Sequence, residues 1–247
     1  MRVFMSNILL YSAGTYTKNI KLILLFSLAF VLAFIIPMFA AFPTYNDLGG
    51  ILLRTSSVFL NLNLLNTGVI VVSVFFSLLF LSFAIVAINV ICKHSRTHTK
   101  IKQEVLEGLE TYTGKVFVVL LFETLILLLA SILLYGTGYS AIVMAVVGLV
   151  ITPAFFYAPS SIVIDDNRAL NAMRSSTRFF AGKFGYFVLW ILVAVALLSG
   201  FDFLFIAVGG TLISRYVMLV FSSLFILPFL VVLQSESYMN RFKMLKR

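Results

Sequence analysis

Glu123 stands inside the run "KVFVVLLFETLILLLASIL", eight residues beyond Lys115. At 1.5 Å per residue, that sets a carboxyl roughly 12 Å into an apolar helix. A carboxylate at such depth costs on the order of 2.5–3.5 kcal/mol on insertion scales, so the group must be protonated, paired or turned toward a polar cavity. Its chemistry is that of a proton or cation site, or of a neutral carboxyl bonded to a neighbouring helix. Asn89 and Thr152, each in another apolar run, are the candidate partners.

Arg168, Arg174 and Arg178 form the second constellation, in "DDNRALNAMRSSTRFF". Asp165 or Asp166 is placed to cap a helix here, and Arg174 and Arg178 then share one face. Such a face attracts anionic lipid head groups, each charge contributing about 1 kcal/mol near a negative surface. It could instead meet Glu104, Glu107 and Glu110, which recur every three residues in the preceding charged segment, or serve only to set orientation.

Other polar residues carry less. His94 and His98 have the i, i+4 spacing of two imidazoles on one helical face, but a metal site needs further ligands and their neighbours are basic. No metal is therefore expected. Asp202 and Arg215 end two apolar runs and could approach as an interfacial ion pair. Cys92, the single cysteine, reads as a small buried hydrophobe. There is no P-loop, no glycine-rich dinucleotide fingerprint, no G-x-S-x-G and no H-E-x-x-H. The reading is a non-enzyme without a cofactor.

The elements that must position these residues follow from composition. The chain is 62% hydrophobic and 11% charged, with a mean hydropathy of +1.10. A soluble domain cannot conceal that much apolar surface, so the chain is an integral membrane protein. Six stretches have the length of a membrane-crossing helix: 20–42, 67–92, 115–135, 139–164, 184–201 and 211–233. The fold class is all-α, one polytopic membrane domain over residues 1–247. The outer connection from Pro43 to Asn66 is long, and its "ILLRTSSVFLNLNLL" is too short to span; it is expected to rest on the interface or re-enter slightly.

Of the 18 Lys and Arg residues, only Arg54 and Arg215 fall on one side of this topology. The crowded side is cytoplasmic by the positive-inside rule, which puts both termini inside. The net charge of +9 is thus topological, and no nucleic-acid partner is implied. The first span is too long for a signal-peptide core and "PMFAAFP" is a poor cleavage site, so it reads as a retained helix.

An echo organises the spans. "TYTKNIKLILLF" from Thr15 and "TYTGKVFVVLLF" from Thr111 both enter the membrane from the charged side, and "RFFAGKFGYFVLWIL" from Arg178 is a weaker third copy. The return helices also match, with Pro153 opposite Pro228. Before each entry lies a stripe at helical spacing: Met5, Leu9 and Tyr16; Ile101, Val105, Leu109 and Tyr112; Leu170, Met173, Thr177 and Phe180. The expected architecture is three related hairpins, each preceded by an amphipathic helix in the inner interface.

At "FFYAPSSIVIDDNRALNAMRSSTRFFAGKFG" the chain resembles a family of six-span prokaryotic membrane domains related to the membrane part of glycerophosphodiester phosphodiesterases. The resemblance rests on Pro159, Asp165-Asp166, Ala169, Ala172, Arg174, Ser175 and Arg178, over about 30 residues. It implies a prokaryotic cytoplasmic membrane, and no catalytic residue in this chain. Two functions remain in view. One is a scaffold or accessory protein facing lipid or a protein partner; the other is a small transporter or channel using Glu123.

Overall fold

The computed structural model describes residues 2–39, 44–47, 50–53, 64–97, 101–134 and 137–240, with only the backbone described over 2–7, 38–39, 44–47, 50–53, 64–66, 96–97, 101–102, 141 and 209–215. The helices are α1 (Arg2–Lys18), α2 (Ile20–Phe39), α3 (Leu64–Thr97), α4 (Ile101–Leu133), α5 (Ser140–Phe155), α6 (Ala158–Asp165), α7 (Ala169–Gly182), α8 (Phe184–Phe221) and α9 (Leu227–Met239), with a π-helical segment at Ser222–Ile226. Six stretches are long and apolar enough to cross a membrane: Ile20–Pro37, Thr67–Ser95, Gln103–Leu133, Ile142–Asp165, Phe184–Val208 and Tyr216–Met239. These follow the six expected spans.

Helix α8 is assigned as one run, yet its two arms pack together. The rings of Phe201 and Phe221 lie 4.7 Å apart, and the Trp190 indole N–H donates to the Leu230 carbonyl at 2.9 Å. A straight helix would separate Phe201 from Phe221 by about 30 Å. The chain therefore reverses within α8 between Phe205 and Phe221, whose rings lie 5.4 Å apart.

Four local expectations change. The segment before span three is no separate interfacial helix: α4 runs unbroken from Ile101 to Leu133, with no helix breaker at Gly114-Lys115 strong enough to interrupt it. Breaks do occur at Asn19, whose side-chain amide bonds back to the Thr15 carbonyl at 3.0 Å, and at Lys183. Where only helix was expected, the Pro43–Asn66 connection contains two antiparallel strands, β1 (Thr44–Asp47) and β2 (Gly50–Leu53); most of the segment expected to rest on the interface, residues 54–63, lies outside the described ones. On α7 the buried face is Ala172, Ser176 and Phe179, not the Leu170–Met173–Thr177–Phe180 stripe, and Leu170 is 71% exposed. Finally, no aspartate caps α7. Its N-cap is Arg168 with an extended backbone, because Asp166 adopts the left-handed conformation that ends α6 two residues earlier.

The core sits at one end of the bundle. Between Ala84 and Cys92, α3 is buried almost all round, ringed by α2, α4, α6 and α9. Close approach is needed there: a Cβ at Gly108 would lie 2.7 Å from Val90 Cγ2, so only glycine lets α4 cross α3 at this distance. Towards the far end the same helices expose Val71, Val72, Phe75, Leu129 and Leu133, as lipid-facing surfaces do.

Candidate functional site

Prolines organise the polar chemistry of this bundle. Each removes a backbone donor and frees the carbonyl four residues earlier, which water cannot satisfy inside a bilayer. Pro37 frees the Ala33 carbonyl, and the Ser77 hydroxyl of α3 donates to it at 2.6 Å. Pro228 follows the π segment, whose Phe225 carbonyl accepts the Tyr16 hydroxyl at 3.3 Å. Burial pushes the Tyr16 phenol above its ordinary pKa.

Pro159 has the largest effect. It splits the fourth span into α5 and α6, with a turn at Phe156-Tyr157. In an unbroken helix the Tyr157 N–H would bond the Pro153 carbonyl. Instead the buried Ser176 hydroxyl of α7 accepts from Tyr157 N–H at 3.0 Å and donates to Pro153 at 2.8 Å. One hydroxyl bridges the broken rung. The Phe156 carbonyl, also released, accepts the Gln234 side-chain amide of α9.

A relay of side chains continues from this break to the charged end. Tyr238 donates to an Asp165 carboxylate oxygen at 2.7 Å, and its oxygen lies 3.0 Å from Ser175 Oγ, which is thereby the donor. The rings of Tyr157 and Phe179 meet at 4.7 Å, and those of Phe179 and Tyr238 at 5.1 Å. Asn167 folds back onto Ser161 at 2.9 Å. Lys93 caps the C-terminal end of α6 through the Val163 carbonyl at 2.7 Å, where a cation suits the helix dipole. Lys115 pairs with Asp166 at 3.0 Å and lies over the Tyr112 ring. Glu236, only 1% exposed, accepts from Thr15 of α1 at 2.9 Å. Through Tyr238, Ser175 and Asp165 the relay ties α9, α7 and α6 together at the charged end.

The residues singled out in the sequence do not form one cluster. Glu123 is half-buried on the inward stripe of α4 and has no hydrogen-bond or ion-pair partner among the described residues. Asn89 adjoins Val90, which packs on Gly108; Glu123 lies fifteen residues beyond Gly108, about 22 Å along the helix. Asn89 is wholly buried, and its amide N–H bonds the Ile85 carbonyl at 2.8 Å. Thr152 is nearer in level, since Phe122 and Phe155 rings meet at 6.3 Å, but its hydroxyl bonds back to Gly148 at 2.7 Å.

Arg168, Arg174 and Arg178 are exposed, and among the described residues none pairs with Glu104, Glu107 or Glu110. Glu104 lies 3.5 Å from His94, Glu107 accepts from Gln103 at 3.3 Å, and Glu110 is exposed. His98 and the Arg215 side chain lie outside the described residues. No group of three metal-binding side chains occurs among the described residues, and Cys92 is buried.

Ser176, Gln234 and Glu236 were missed by sequence reasoning. The available signal was the pairing of Pro153 and Pro159 around "AFFYA", which announces a broken helix needing donors, and the polar "QSES" in the return helix. Which donor meets which carbonyl carries no local signal. No family model, curated protein or solved structure matches the chain.

Proposed function

We propose that this is a non-enzymatic scaffold or accessory protein of a prokaryotic cytoplasmic membrane, presenting the arginine face of α7 to anionic lipid head groups. In this reading the charged end of the bundle and both termini are cytoplasmic, in line with the positive-inside distribution of Lys and Arg. The single observation that carries it is the asymmetry of α7. Ser176 and Phe179 lock one face into the bundle, while Arg174 and Arg178 on the other are exposed without an acidic partner among the described residues. A rigidly held pair of cations at the membrane surface recognises phosphate oxygens better than a mobile tail does.

The architecture supporting this is three related hairpins: α2–α3, α4 with α5–α6, and the two arms of α8–α9. Their common origin is supported by the matching entry sequences and by Pro153 and Pro228, which both lie at irregular turns whose carbonyls are met by donors from other elements. Kinship with the membrane part of glycerophosphodiester phosphodiesterases is supported by Pro159 opening α6 and Asp165-Asp166 closing it.

Thermal unfolding in nanodiscs tests the proposal. Phosphatidylglycerol should raise the melting temperature above that in phosphatidylcholine, and Arg174→Gln with Arg178→Gln should remove most of the increment. An increment of equal size in the double variant would overturn it. The transporter reading is favoured by one observation, that Glu123 has no partner among the described residues. It predicts proton or cation flux in proteoliposomes that Glu123→Gln abolishes, and absent flux removes it.

A further inference from the structure

A groove of about 390 Å³ opens between α2, α3 and α4, away from α7. Its walls include Leu25, Leu28 and Leu32 of α2, Leu79 and Phe83 of α3, and Thr113 of α4. Leu25, Leu28 and Leu32 are exposed and lie within the first candidate span, so the hydrocarbon of a bilayer surrounds them.

Two polar features accompany the apolar walls of this groove. Thr17, Thr111, Thr124, Thr152 and Thr177 all bond back to the carbonyl four residues earlier. Thr113 does not. Its hydroxyl is shielded from solvent and has no partner among the described residues, although such a group in hydrocarbon costs on the order of 1–3 kcal/mol. The second feature is Lys21. It is exposed, has no ion-pair partner among the described residues, and begins the helical stripe Lys21–Leu25–Leu28–Leu32. Along that stripe lie a cation, then an apolar wall, with an unbonded hydroxyl facing it from α4. This order matches a phospholipid: phosphate, glycerol ester, acyl chain.

We propose that the groove binds one anionic phospholipid, its acyl chain along Leu25–Leu32, an ester carbonyl accepting from Thr113, and its phosphate paired with Lys21. The assignment rests on the reading that residues 20–37 lie in the bilayer, and it deepens the lipid-facing role by a site independent of α7. A helix of a second copy could cover the leucines, but it would have to supply an acceptor to Thr113 and an anion to Lys21.

Native mass spectrometry of the detergent-solubilised protein, titrated with phosphatidylglycerol and phosphatidylcholine, tests this. The expected result is one phosphatidylglycerol held more tightly than phosphatidylcholine. Lys21→Gln should weaken that preference about fivefold, the effect of one interfacial charge. Leu28→Trp, which fills the groove from an exposed position, should weaken both lipids. Thr113→Val should weaken both to a smaller extent. The Arg174→Gln, Arg178→Gln double variant should leave this bound lipid in place, so loss there with no effect at Lys21 would overturn the groove while sparing the α7 proposal. Unchanged affinity in Leu28→Trp would overturn it too, as would a dimer signal that Leu28→Trp abolishes.

Discussion

The two halves of α3 and α4 make opposite use of the same kind of sequence. Near the charged end, residues from Ala84 to Cys92 are enclosed by other helices, and three carbonyls at helix breaks and ends meet side-chain donors: Pro153 from Ser176, Phe156 from Gln234 and Val163 from Lys93. Near the far end, Val71, Phe75, Leu129 and Leu133 face outward, and Glu123 stands alone. Hydrophobicity does not distinguish these regions. In lipid, apolar surface supplies no drive for helices to associate, so close packing follows small residues and hydrogen bonds. Gly108, Ser176 and the carbonyls opened around Pro159 lie where the bundle is tight, while Ser77 on the Ala33 carbonyl is a fastener of the far half.

This contrast can be broken by removing its fasteners. Ser176→Val should cost most, about 2–4 kcal/mol, because both the Tyr157 N–H and the Pro153 carbonyl lose their partner while buried. Equilibrium unfolding in mixed micelles would register it, and a loss below 1 kcal/mol would mean that the broken rung closes by itself. Gly108→Ala comes next at about 1–3 kcal/mol, since the added methyl meets Val90. A cysteine cross-link between the charged ends of α3 and α4 should then form more slowly.

Smaller effects sharpen the comparison. Ser77→Ala should cost about 0.6–1.7 kcal/mol, the range of single hydrogen bonds between membrane helices, and should increase the bend at Pro37. Glu123→Gln should change stability least, by less than about 0.5 kcal/mol, because no bond among the described residues is lost. A loss above that of Ser77→Ala would reveal a partner for Glu123 and place a second polar centre in the far half.

Much of the architecture was legible before any coordinates. Six spans could be placed because apolar length is a local, additive property, and breaks at Pro159 and Lys183 fall near residues that disfavour helix continuation. The candidate site was less legible for a physical reason. Glu123 was conspicuous because a carboxyl in an apolar run is costly, yet cost identifies a residue without naming its partner. Ser176 looked like one of many serines; its importance comes from lying opposite a carbonyl that Pro159 helped to release. On α7 the expected apolar stripe missed the buried face because a helix packed on a broken span buries small and polar side chains that satisfy the break.

Sequence alone determined that the chain is helical, apolar enough to cross a membrane six times, and asymmetric in charge along that path, since each depends only on composition within short windows. The tertiary structure alone decided which hydroxyls and amides meet the carbonyls left by the prolines, that Glu236 is buried against Thr15, and that Thr113 and Glu123 are left without partners among the described residues. Those outcomes are pairings between residues far apart in the chain, fixed by how helices cross, and no local window contains both members.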